Sequence, residues 1–113
     1  MKLWLDDERE APVRFTCFST TCDWTVARNA QDAITFLKTG LVTEISFDHD
    51  LGPREHYGDG YDVAKWIEEA AFEGRIPRII WRVHSGNAVG RSQIYMAMKN
   101  ANDFWTRNEA ARD

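Results

Sequence analysis

Short apolar runs alternate along this chain with stretches of helical period. Lys2 to Leu5 is brief and apolar, which suits a buried strand better than a helix. Between Glu8 and Asp23 the pattern breaks into Pro12 and a scatter of Thr and Ser, so a long loop is expected there and no first helix is evident. Trp24–Arg28 alternates as a second strand should. Asn29 can then cap a helix running through Lys38, with Asp32 at its third position, Ala30, Ala33, Ile34 and Leu37 on one face, and Gly40 beyond its end.

Glu44–Asp48 is predicted as a third strand and Leu51–Gly58 as a loop. Asp59 or Gly60 starts the next helix, whose apolar stripe is Val63, Ala64, Ile67 and Ala71 and whose stop is Gly74. Arg78–Val83 is a fourth strand. Ser85-Gly86-Asn87 then turns the chain into a last helix with Ile94, Ala97, Met98 and Ala101 facing inward, and Phe104 and Trp105 either extend it or form a short edge strand. Strands alternating with helices imply an α/β fold: a parallel sheet layered with helices through right-handed crossovers.

In such sheets ligands bind beyond the carboxyl ends of the strands. Three of the apolar runs end in reactive groups: Lys2–Asp7 (KLWLDD), Ile45–Gly52 (ISFDHDLG) and Ile79–Asn87 (IIWRVHSGN). As neighbouring parallel strands they would gather Asp6, Asp7, Asp48, Asp50, His84 and Ser85 at one sheet edge. Adjacent carboxylates repel unless something positive lies between them, and Mg²⁺ or Mn²⁺ answers that need because hard cations prefer oxygen ligands. Asp6, Asp7 and Asp50 are therefore candidate metal ligands, with Asp48 on the same face as Asp50. His49, between those two, either caps the strand end or touches substrate. His84-Ser85-Gly86-Asn87, with Gly90 and Arg91 one turn later, resembles a phosphate cradle at a helix start, in which free amides and Arg91 hold oxygens and His84 moves a proton. Arg9 either orders the acid loop through a salt bridge or contacts phosphate directly. His56 lies in a loop that could reach the same mouth.

Composition narrows the setting. At 113 residues the chain suits one domain, residues 1–113, and it contains no run long and apolar enough to span a bilayer, so a cytoplasmic protein is expected. Cys17 and Cys22 have the spacing of half a metal site but no second pair follows, which leaves two free thiols as the default. The net charge of −4 argues against a protein that coats long nucleic acid. Yet there is no acid between Gly74 and Asn102, where Arg75, Arg78, Arg82, Arg91 and Lys99 fall. That cationic third either balances acids elsewhere as a solvated face or meets a nucleotide or an RNA end.

The acid pair Asp6-Asp7, Asp50 in Asp50-Leu51-Gly52-Pro53, the Asp59-Gly60 turn and Ser85 resemble the receiver domains of bacterial response regulators, although the Lys-Pro motif that ends strand five in receivers is absent. The combination L-D-D-x-R, S-F-D-H-D-L-G, G-Y-D-V-A and H-S-x-N-x-x-G is more similar still to the cyclic-phosphate processing receiver-like domains of bacteria and phages, over about Lys2 to Met98. That resemblance implies a receiver-like (flavodoxin-like) three-layer sandwich with a reduced, mostly parallel four- to five-stranded sheet, order 2-1-3-4(-5), lacking the first helix. It further implies a site comprising Asp6, Asp7, Asp48, His49, Asp50, His84, Ser85 and Asn87, acting on cyclic phosphates of nucleotides or RNA ends.

Three functions are expected to compete. The first is a metal-assisted phosphoesterase, with Asp50, Asp48, His49 and His84 catalytic, Ser85, Asn87, Arg91 and Arg9 on the phosphate, and Mg²⁺ or Mn²⁺ as cofactor. The second is a non-enzymatic module that binds a nucleotide, metal or protein, and the third an aspartyl-phosphorylated switch.

Overall fold

The computed structural model describes residues 1–7, 24–52 and 58–111. The expected loop between Glu8 and Asp23, together with Arg9, Cys17, Cys22 and His56, lies outside the described residues.

Strands β1 (Lys2–Leu5), β2 (Trp24–Ala27), β3 (Glu44–Phe47) and β4 (Ile80–Val83) alternate with helices α1 (Ala30–Leu37), α2 (Gly60–Phe72) and α3 (Ala88–Ala111). The strands form one sheet in the order β2-β1-β3-β4, and every neighbouring pair is parallel. This is the receiver-like order expected from the sequence, with no fifth strand among the described residues. Phe104 and Trp105 extend α3 instead of forming an edge strand. The reason is visible in the stripe: Ile94, Ala97, Met98 and Ala101 are buried at helical spacing and Trp105 continues that line, its indole N–H donating to the Ile76 carbonyl at 3.1 Å.

Each helix starts where a side chain can satisfy its free amides. Asn29 accepts from the Asp32 amide at 2.8 Å, and Asp59 and Asp62 cap α2 reciprocally. Asn87 accepts from the Gly90 amide at 2.9 Å at the head of α3. Gly74, at φ 72°, takes the left-handed turn that ends α2.

Leu3, Leu5, Ala27, Ile45 and Phe47 join the apolar stripes of all three helices in one core. Because side chains alternate along a strand, Trp4, Ser46 and Arg82, which are register partners, share the opposite face. The described helices thus layer one side of the sheet, and the second helical layer of a three-layer sandwich is not among the described residues. No helix of the described residues is long and apolar enough to cross a membrane.

The ladder runs one step past the strands. The Asp6 amide donates to Ala27, that of Asp48 to Leu5 at 2.8 Å and that of His84 to Phe47 at 2.8 Å. Asp6, Asp48 and His84 therefore stand in a row at the carboxyl edge, on the face of Trp4 and Ser46. The head of α2 lies against the end of β3, the Gly60 amide donating to the His49 carbonyl at 2.8 Å. A Cβ on Gly60 would collide with the Asp48 carbonyl, a backbone atom that cannot swing away. Although alanine is ordinarily the better helix former, Gly60→Ala is expected to lower stability by about 1–3 kcal/mol. The check is the urea midpoint; an unchanged or raised midpoint would contradict this packing.

Candidate functional site

Beyond the carboxyl edge lies a cavity of about 580 Å³, lined by Asp6, Asp7, Asp48, Asp50, Gly52, Gly86 and Asn87. Four carboxylates and the turn before α3 thus meet, as the three strand-end motifs lead one to expect.

Asp6 is the buried member, 1% exposed. Its Oδ2 lies 3.0 Å from His84 Nε2, and the other ring nitrogen, Nδ1, lies 2.7 Å from Ser46 Oγ. The His84 ring stacks on Trp4, centroids 4.0 Å apart and planes within 3°. A carboxylate, an imidazole and a buried hydroxyl therefore form one hydrogen-bonded line, backed by an indole. The neutral ring donates from Nε2 to Asp6 and accepts the Ser46 hydroxyl at Nδ1; the protonated ring donates at both ends, because the hydroxyl can turn to accept. Arg28 fixes the strand end from the other side by donating to the Asp6 carbonyl at 3.2 Å.

Asp48 stands next in the row. Burial, and then the neighbouring Asp6 carboxylate, raise its pKa above the usual carboxylate range, with His84 pulling the other way. One carboxylate oxygen each from Asp6 and Asp48 and one nitrogen of His84 lie within 4.8 Å of one another, a spacing that would suit a shared cation. The donor set, two carboxylates and an imidazole with Asp7 and Asp50 lining the same space, is of a kind that would hold Mg²⁺ or Mn²⁺.

The remaining candidates divide. Asp50 is largely exposed; it accepts from Asn87 Nδ2 at 3.3 Å and lies 3.0 Å from His49 Nδ1. The strand-end place therefore belongs to Asp48, with Asp50 two residues beyond. His49 turns away from the row, toward α2 and α3: its Nε2 is 3.5 Å from Asp59 Oδ2, and its ring lies where a Cβ on Gly90 would have to sit. Ser85 is buried and its Oγ accepts the Asn87 amide at 3.1 Å, shaping the turn. Arg91 is exposed and lines a separate depression with Ala88, Ser92 and Tyr95.

Sequence reasoning missed Ser46 and Trp4, which read as members of apolar strands. The signal was present in the period: both lie two residues before a site acid and hence on its face.

A chain with this sheet order and this acid-lined edge is a receiver-like domain. The chain belongs to the cyclic-phosphate processing receiver domain family, whose model matches residues 1–100. No curated protein and no solved structure matches it.

The raised pKa of Asp48 has a definite sign in stability. A carboxyl raised in the fold favours the native state below its ordinary value of 3.8, and that contribution is lost as pH rises through the folded pKa. In chelator-treated protein, Asp48→Asn is expected to melt higher than wild type near pH 7, and the gain should shrink as pH falls toward 4. Thermal melts across that range provide the check; a gain that grows on acidification would contradict the like-charge reading.

Proposed function

We propose that this domain hydrolyses cyclic phosphates, with the carboxylates as a cation-holding pole and His84 as the proton donor. The observation that supports this most is the hydrogen-bonded line Asp6–His84–Ser46 set directly against the acid-lined cavity. Asp6 and Asp48, with Asp7 and Asp50 beside them, would hold Mg²⁺ or Mn²⁺. When bound, the ion neutralises phosphate charge and lowers the pKa of a bound water.

The chain's own residues supply the rest. Water attacks phosphorus, one phosphorus–oxygen bond of the ring breaks, the leaving ribose oxygen takes a proton from the protonated imidazole, and the proton that the attacking water sheds passes through solvent to restore that imidazolium. His84 provides that proton from Nε2, the nitrogen on the Asp6 side, exchanging its Asp6 contact for the leaving oxygen as substrate seats. Ser46 holds Nδ1 from behind and Trp4 keeps the ring plane fixed, so the imidazole need not search for its orientation. Asn87 and the turn at Gly86 face the cavity where the non-bridging oxygens would lie, close to the first amides of α3.

A second reading, a module that binds a nucleotide or metal without turnover, draws on Asp50, whose carboxylate is tied to Asn87 and His49. Turnover of a 2′,3′-cyclic nucleotide with Mg²⁺, Mn²⁺ or chelator distinguishes the two. His84→Ala is expected to lower the rate by about 10²–10⁴. Ser46→Ala should lower kcat more than it raises KM, with Ser46→Thr restoring part of the loss. Full activity of His84→Ala would remove the histidine from this role, and binding without turnover across cyclic nucleotides would favour the module.

A further inference from the structure

The acid-free third of the chain has an ordered counterpart on the surface. Counted from Ala88, the residues Arg91, Ser92, Tyr95, Met96 and Lys99 fall at i+3, i+4, i+7, i+8 and i+11, which puts all six in a single stripe on α3, away from its buried stripe. They line two depressions of about 270 and 600 Å³ that share Ser92 and Tyr95. The stripe begins at Ala88, the residue after Asn87, where the acid-lined cavity ends.

Its chemistry is specific. Lys2, Lys65, Arg75, Arg78 and Arg82 each pair with an acid. Neither the Arg91 guanidinium nor the Lys99 ammonium makes an ion pair or hydrogen bond among the described residues. Between them, Tyr95 is held edge-on by Trp81, centroids 5.3 Å apart at 69°, while the residue stays 37% exposed. Cation, aromatic and cation thus recur every four residues, about 6 Å apart along the helix axis. A single strand of nucleic acid offers the complement, phosphates for the cations and a base face for the ring.

We infer that the Arg91–Tyr95–Lys99 stripe is a track for a short single strand of RNA whose 3′ end enters the acidic cavity. The substrate class is then an oligoribonucleotide end and not a free cyclic nucleotide. The inference rests on the cyclic-phosphate reading for what happens at the cavity, but strand binding can be measured without turnover. Charge favours RNA over a protein partner, because the cations have no acid of their own and the stripe itself carries none.

The test is fluorescence anisotropy of a labelled oligoribonucleotide ending in a 3′-hydroxyl or in a 2′,3′-cyclic phosphate, with a cyclic mononucleotide as competitor. Both oligomers are expected to bind, and the mononucleotide to compete at least tenfold more weakly than the cyclic-ended oligomer. Tyr95→Ala should weaken oligomer binding roughly tenfold, the loss of one stacked base. Lys99→Gln, an exposed change that spares the core, should flatten the salt dependence by about 0.7 in log–log slope. If neither oligomer binds while the cyclic mononucleotide is turned over, the track is wrong and the site reading stands. If oligomers bind through Tyr95 and Lys99 but no cyclic end is opened, the track stands and the site reading fails. Self-association abolished by Tyr95→Ala, without RNA binding, would assign the stripe to a protein partner and overturn the inference.

Discussion

The site is organised around one buried carboxylate. Asp6 has left water almost completely, which is costly for an anion unless its oxygens are matched. It has His84 on one side and the like charge of Asp48 on the other. The first relation holds the imidazole in place; the second sets two carboxylates side by side at the cavity. Both follow from the register of a parallel sheet, which carries the ends of β1, β3 and β4 to the same height. A slip of one residue would point Asp6 into the aliphatic core and Leu5 into the cavity.

That arrangement explains why the acids gather at the carboxyl edge while the helix-facing side of the sheet is apolar. Ile45 and Phe47 seal the core from one side of β3, whereas Ser46, between them, faces the other way and is the last polar group before the acids. Its hydroxyl suits this place because it can donate or accept, so the hydrogen bond to His84 survives either protonation state of the ring. Trp4 completes the support without adding charge.

Much of this was legible in the sequence because it depends on local rules. Asn29, Asp59 and Asn87 announce their helices by capping chemistry, and the stripe through Ile94, Ala97, Met98 and Ala101 fixes the buried side of α3. The gathering of acids was legible because parallel sheets bind ligands at one edge. Less visible were the relations across strands. Asp48 ends the third strand as its pattern indicates, but that it lies beside Asp6 and His84 depends on the ladder persisting one residue beyond Phe47. Ser46 meets a ring 38 residues away. Such contacts are set by register, and only the fold supplies it. The choice at Phe104 and Trp105 was likewise open until the Ile76 carbonyl appeared as the indole's partner.

Two glycines give the site a mechanical character. Gly60 admits the Asp48 carbonyl and Gly90 admits the His49 ring, so consecutive residues at the end of β3 are seated against the first turns of α2 and α3. Neither helix can advance or rotate without striking the segment that carries the acids. The end of β3 is therefore in direct steric contact with the first turns of both helices. A side chain at either glycine would force the end of β3 and a helix apart, so the position of the acid row is set in part by two side chains that are not there.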